Sequence, residues 1–295
     1  MTESTWKPFL SSLNFSITDI NQPVNALYSI DYLGILIVSG NDARSFLQGQ
    51  LTTDVEHLIP NLACFTAFCN AKGKVISTLL IIKRDQQFLL ILPKILLETV
   101  HKRLSRYILR AKVKLVIDTS LIMSGIQMIN PISNSVSLPN NDFEINQSML
   151  KLPQQRYLFI DSIENSIQIW QSYLNHGFIV ANSQNWELLD IYSKIAWLNL
   201  QSSELYIPQM LNIDQFGGIS FTKGCYIGQE IVARTHYLGT VKRQLFMIEV
   251  NHENVDSENI IDAQQQIIGQ LLPLINANVQ PFRLAILPVS IMSEK

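Results

Sequence analysis

Residues 29–38 (SIDYLGILIV) form an apolar run that predicts a strand, stopped by Ser39 and Gly40. Asn41 can cap a short helix carrying Ala43, Phe46 and Leu47 on one side, with Gly49 marking its end. From Asn61 the pattern turns to β: NLACFTAFC, a turn (NAKG), KVISTLLIIK, a polar turn (RDQQ) and FLLIL. After Pro93 the period changes. Leu96, Val100, Leu104 and Ile108 recur every four residues and predict a helix laid on that sheet. A similar unit follows, with strands at 115–117, 121–128 and 156–160 and a polar loop at 129–142. Helices are expected near 163–175 and 184–198, the second opened by Ser183 or Asn185. Beyond residue 240, VKRQLFMIEV, NIID, QIIGQLL and FRLAIL predict short strands of a small barrel or sandwich. The class is therefore α+β, in three parts: two α+β units (1–115 and 116–240) and a small β-barrel (241–295), which need not be continuous in sequence.

Composition narrows the picture. The chain has 295 residues, 47% of them hydrophobic, with a net charge of −2, which excludes a disordered chain and a globally basic nucleic-acid binder. No uninterrupted apolar run reaches the ~20 residues of a membrane span, and the first residues (MTESTWKPFL) lack the form of a secretory signal. Three cysteines, Cys64, Cys69 and Cys225, make no disulfide framework. A soluble cytoplasmic protein is the expectation. The cysteines lack zinc-ligand spacing and are too few for a four-cysteine iron–sulfur cluster, so no resident metal is expected. A cluster shared with a partner stays open.

Charge is unevenly spread. Between Lys72 and Lys114 lie eleven basic residues opposed only by Asp85 and Glu98, so the rest of the chain carries eleven net negative charges. Within the predicted helix Lys102, Arg103, Arg106 and Arg110 avoid the apolar stripe and project to solvent. Such a face attracts polyanions such as RNA phosphates, although it is also what an ordinary solvated helix presents.

The chemistry concentrates in FTKGCYIGQEIVAR, residues 221–234. Gly224 and Gly228 bracket Cys225, and a short helix can begin after Gly228. The helix N-terminus and the Lys223 ammonium would both favour a thiolate, making Cys225 and Lys223 the candidate reactive pair. The other reading is a buried cysteine in a tight turn. A Cys–His hydrolase has no support, since nothing orients His236 or the other histidines toward the thiol. Trp186 opens an amphipathic helix, where its ring either packs in the core or stacks on a planar heterocycle.

The run KGCYIGQE, with IPQMLNIDQFGGISF before it and VARTHYLGTVKRQLF after it, closely resembles the signature of the YgfZ family. GNDARSFLQGQLTTDV (40–55) and NAKGKV (70–75) resemble that family's amino-terminal patterns. The resemblance implies a fold similar to the aminomethyltransferase (T protein) of the glycine cleavage system: two α+β domains and a small β-barrel around a central channel that holds tetrahydrofolate. It implies a folate-binding accessory protein that supports tRNA thiolation or methylthiolation through iron–sulfur enzymes. Those enzymes and folate would be its partners; a weak tRNA contact through the segment Lys72–Lys114 is what the charge pattern adds. By position, Lys223, Cys225, Tyr226, Gln229, Glu230 and Arg234 take the family's motif, with Cys225 as the thiol that could hold a transient iron–sulfur species. Trp186 matches a tryptophan placed against the folate, and Leu33 stands where a second aromatic is expected, beside Tyr32. The family's I-E-A-G segment reads Ile191-Tyr192-Ser193-Lys194 here. The missing carboxylate matters, because a Glu accepts two parallel hydrogen bonds from a pterin edge and Tyr does not. Glu187 or Asp190, one turn earlier, could take its place. An aminomethyltransferase and a non-catalytic tRNA-binding module stand as alternatives.

Overall fold

A computed structural model of the chain describes residues 3–13, 25–60, 62–128, 149–153, 155–250, 255–256, 258–262, 264–276 and 281–292. The polar loop expected at 129–142 lies outside them. The described chain is a mixed α+β structure built on three five-stranded sheets.

The first sheet is assembled from neighbouring stretches of sequence. Its order is Ala63–Cys69, Val75–Arg84, Gln87–Pro93, Leu33–Ser39 and Lys114–Asp118, all antiparallel. Residues 75–82 are buried without interruption, Ser77 and Thr78 included, so the strand shows no inside–outside alternation. The helix Lys94–Ile108 covers this sheet with Leu96, Leu97, Val100 and Leu104. Gly34 makes the close approach possible, since a Cβ there would stand 2.7 Å from Leu97 Cδ2.

The second sheet is interleaved with the first. Its order is Ile179–Ala181, Ala26–Ser29, Ile122–Gln127, Arg156–Asp161 and Met149–Leu152. The run 29–38 is thus not one strand: Ser29 ends a strand of the second sheet, the chain turns at the exposed Asp31, and Leu33 begins a strand of the first. Strand alternation then sorts the side chains. Leu27, Ile126 and Phe159 meet the helix Ile163–Asn175 and the amino-terminal helix Glu3–Ser11, where Trp6 stands edge-on to Trp170 at 5.2 Å. Ala26, Tyr28, Leu158 and Ile160 face the main core shared with the first sheet.

The third sheet, Arg243–Glu249, Phe282–Pro288, Ile267–Leu271, Asn259–Ile261 and Val255–Asp256, is antiparallel throughout. Where a barrel was expected, the described residues form an open sheet, whose outer strands, Arg243–Glu249 and Val255–Asp256, do not pair with each other. The helix opened by Trp186's segment is also shorter than its apolar pattern implies. It spans Ser183–Tyr192, begins at Asn182, whose side chain accepts Gln184 N–H at 2.9 Å, and stops where Lys194 adopts φ +57°. Among the described residues no helix is long and apolar enough to cross a membrane.

Candidate functional site

Three segments far apart in sequence interlock at one place. The turn Asn70–Gly73 receives Gly228: a Cβ at Gly228 would lie 2.4 Å from Asn70 O and 2.8 Å from Gly73 Cα. Both glycines have positive φ, +68° at Gly73 and +80° at Gly228. The stretch after the helix Ala43–Gln48 is gripped by Lys223, whose Nζ donates to the carbonyls of Gln48 (2.6 Å), Leu51 (2.9 Å) and Thr53 (2.7 Å). Thr52 and Thr66 hydroxyls both donate to Gly218 O, and Ser220 N–H donates to Thr52 O. Helix Gln229–Leu238 starts from this junction.

Cys225 stands exposed on that frame, whereas Cys69 is buried and Cys64 half-buried. A Cβ added at Gly224 beside it would meet nothing within 4 Å. The buried Lys223 ammonium is directed inward: its three N–H donors serve the carbonyls, and it sits 5.1 Å from the centre of the Tyr226 ring. Tyr226 is buried and Gln229 half-buried, while Glu230 and Arg234 are exposed on the helix.

Burial lowers the Lys223 pKa from 10.5 to about 8, against the attraction of Asp54 and Glu56. Between those two values the unfolded chain binds the extra proton, so this group adds stability as pH rises through the window. Urea denaturation on both sides of the window is expected to show that gain in the wild type and its loss in Lys223→Met. Identical pH slopes in the two proteins would contradict it.

A second constellation lies between the sheets. Glu187 and Asp190, 4% and 2% exposed, sit on helix Ser183–Tyr192 among apolar neighbours. Asp190 Oδ1 accepts from Arg156 Nη1 at 2.8 Å, and its Oδ2 from Tyr32 Oη (3.0 Å) and Trp197 Nε1 (2.8 Å). Glu187 accepts the backbone N–H groups of Ile275 (2.5 Å) and Asn276 (3.1 Å). Both carboxylates line a small inner recess of about 20 Å³ with Trp197, Leu272, Leu274 and Ile275. An outer recess of about 400 Å³, lined by Tyr32, Lys94, Ile95, Asn199, Leu274 and Ile275, shares the last two residues as a wall. Cys225 lines neither recess.

No protein-family model matches the chain. It is 34% identical over 254 residues to the tRNA-modifying protein YgfZ of Colwellia psychrerythraea (strain 34H / ATCC BAA-681), covering 82% of this chain and 77% of the relative. The YgfZ protein of Edwardsiella ictaluri (strain 93-146) is 33% identical over 245 residues, with 79% and 73% covered. The chain belongs to the YgfZ family. Its fold is similar to the crystal structure of the glycine cleavage system aminomethyltransferase T from Bartonella henselae, with a TM-score of 0.69 at 12% identity, covering 97% of this chain and 81% of that one.

Within this YgfZ-family chain the residues expected on the folate lie deep. Trp186 is 1% exposed, with the Arg156 guanidinium 4.7 Å from its ring centre and Tyr28 at 5.3 Å. Gly125 makes room for it, as a Cβ there would overlap the indole. Leu33 is buried, paired with Pro93, and neither it nor Trp186 lines either of these two recesses; Tyr32 lines the outer one. Arg156 escaped the sequence reading. Its signal was indirect: two acidic residues amid Trp186, Leu188, Leu189 and Ile191 require a buried cation or donors.

The basic segment is divided by use. Arg103 pairs with Glu204, which also accepts from Asn70 Nδ2 at 2.6 Å, so the basic helix is tied to the turn that seats Gly228. The Asn70 hydrogen bond first, and Arg103 next, hold the Glu204 carboxyl below its usual range. Lys74 and Arg84 donate to the carbonyls of Leu205 and Ile160. Lys72, Lys94, Lys102, Arg106, Arg110, Lys112 and Lys114 are exposed.

Proposed function

We propose that the chain is a tetrahydrofolate-binding accessory protein of the cytoplasm. It supports tRNA thiolation or methylthiolation by assisting the iron–sulfur enzymes that carry it out. The observation that carries this reading is the exposed Cys225 thiol, fixed on a frame built from all three of the family's sequence patterns. A rigid, accessible thiol suits transient capture of a cluster or sulfur species from a client enzyme. The names of the relatives support the tRNA side of the reading, and the exposed lysines and arginines between Lys72 and Lys114 suit contact with RNA phosphates.

The recesses beside Glu187 support the folate side. Arg283 adds to the fit: its Nε is buried with no hydrogen-bond partner among the described residues, while its Nη2 donates to Leu272 O at 2.7 Å. A buried carboxylate and a spare donor suit the edge of a pteridine, which offers N–H groups beside a carbonyl. Glu187, Arg283 and Tyr32 would hold the group, and tetrahydrofolate would supply a one-carbon carrier. A ring of domains about a folate channel, closed by a carboxy-terminal barrel, belongs to the same proposal.

Cells carrying Cys225→Ala are expected to show methylthiolated tRNA falling to the level of cells without the protein, with the variant still accumulating. Wild-type modification would remove the thiol from the function.

A further inference from the structure

Glu187 and Asp190 occupy one helix and line one recess, but their oxygens are held in different ways. Asp190 is bound by three side chains, Arg156, Tyr32 and Trp197, each buried and anchored in the core. Releasing it would strand the fully buried Arg156 guanidinium. Glu187 is held by two successive peptide N–H groups, of Ile275 and Asn276, one to each oxygen. Those groups belong to the stretch 272–276, which is neither helix nor strand and is only half-buried from Pro273 onward. Its Leu274 and Ile275 line both the inner and the outer recess. At its start the stretch is held by Arg283, which donates to Leu272 O, and at its far end by Asn276 Nδ2, which donates to Ser183 Oγ at 2.8 Å.

Two adjacent N–H donors on the two oxygens of one carboxylate is the pattern that a ring N–H and a neighbouring exocyclic amine present. We propose that Glu187 is the carboxylate that reads the pteridine edge, and that 274–276 is a strap whose backbone holds its place until the ligand displaces it. The proposal rests on the tetrahydrofolate reading above. It chooses Glu187 and excludes Asp190, whose oxygens are committed to the core. Displacing the strap exchanges one pair of charge-assisted hydrogen bonds for another, which keeps the cost of opening low, and it joins the inner recess to the outer one. Arg283 Nε, still buried beside the strap's origin and within electrostatic reach of Glu187, is then a donor for the pteridine carbonyl.

The test is calorimetric titration of the full chain with tetrahydrofolate, alongside Glu187→Gln, with melting temperatures recorded for both. The wild type is expected to bind, and Glu187→Gln to bind at least about 30-fold more weakly, as loss of a charged acceptor for two donors requires. Amide hydrogen exchange of the wild type supplies the second readout. Saturation with tetrahydrofolate is expected to speed exchange at Ile275 and Asn276, because their acceptor has been taken. If the wild type binds but Glu187→Gln matches it, the Glu187 assignment falls while the folate reading stands. If exchange at the two amides slows or stays unchanged in the complex, the strap falls. If the wild type fails to bind, the folate reading and this inference fall together.

Discussion

Arg156→Met is expected to destabilise the protein by about 3–5 kcal/mol, the range for removing one partner of a buried ion pair. The guanidinium is fully buried, and each of its three nitrogens donates a hydrogen bond. Nη1 donates to Asp190 Oδ1, Nη2 to Ser193 Oγ at 3.0 Å, Nε to Pro153 O at 3.1 Å, and the plane lies on Trp186. Methionine replaces the aliphatic stem but leaves the Asp190 carboxylate without a cation, supported only by Tyr32 and Trp197. The loss is in the uncompensated charge rather than in the pair as such. Arg156→Met/Asp190→Leu should therefore cost less than the sum of its single variants. Urea denaturation midpoints of the set check both statements. A wild-type midpoint for Arg156→Met would overturn the account of this network.

Gly228→Ala is expected to cost about 2–4 kcal/mol, combining a strained φ with an overlap that backbone cannot relieve. The new Cβ would press on Asn70 O and on Gly73, both main chain, with φ held at +80°. Relief requires the motif to lift from the turn, which loosens the loop that presents Cys225. Gly224→Ala is the control. Its Cβ meets nothing within 4 Å, and its φ is not in the left-handed range, so a change within about 0.5 kcal/mol is expected. Thermal melting and limited proteolysis between Lys223 and Ile231 separate the two. Equal behaviour of the variants would show that the interlock does not hold the loop.

Much of the fold could be read from periodicity. The stripe Leu96, Val100, Leu104 lies buried on the first sheet with Ile108 half-buried at its end, and the expected helix 163–175 matches Ile163–Asn175. What periodicity could not show was sheet membership. Ile30 and Tyr32 are as apolar as the strands on either side, so the single Asp31 is all that marks the exchange between sheets in the run 29–38. The amino-terminal helix Glu3–Ser11 was also missed, since Pro8 interrupts its pattern. At the site, the sequence located the motif but not its direction. Lys223, two residues from Cys225, has its side chain on the opposite side of the turn, a distinction that depends on backbone conformation rather than spacing. Glu187 and Asp190 stood out as carboxylates on one helix, yet only their partners tell them apart.

The interleaving of the first two sheets has a consequence for synthesis. Ala26–Ser29 emerges from the ribosome early, yet its parallel neighbour Ile179–Ala181 arrives about 150 residues later, a wait of roughly ten seconds at ordinary elongation rates. The strands at 33–118 need no such partner and can close while the nascent chain is still growing. Ile122–Gln127 can pair with the first strand soon afterwards, but only along one edge. The strand is therefore a greasy, half-paired ribbon beside an already folded body until residues 179–181 arrive. The Leu27 side of that ribbon is the natural handle for a chaperone until translation reaches the second half of the message.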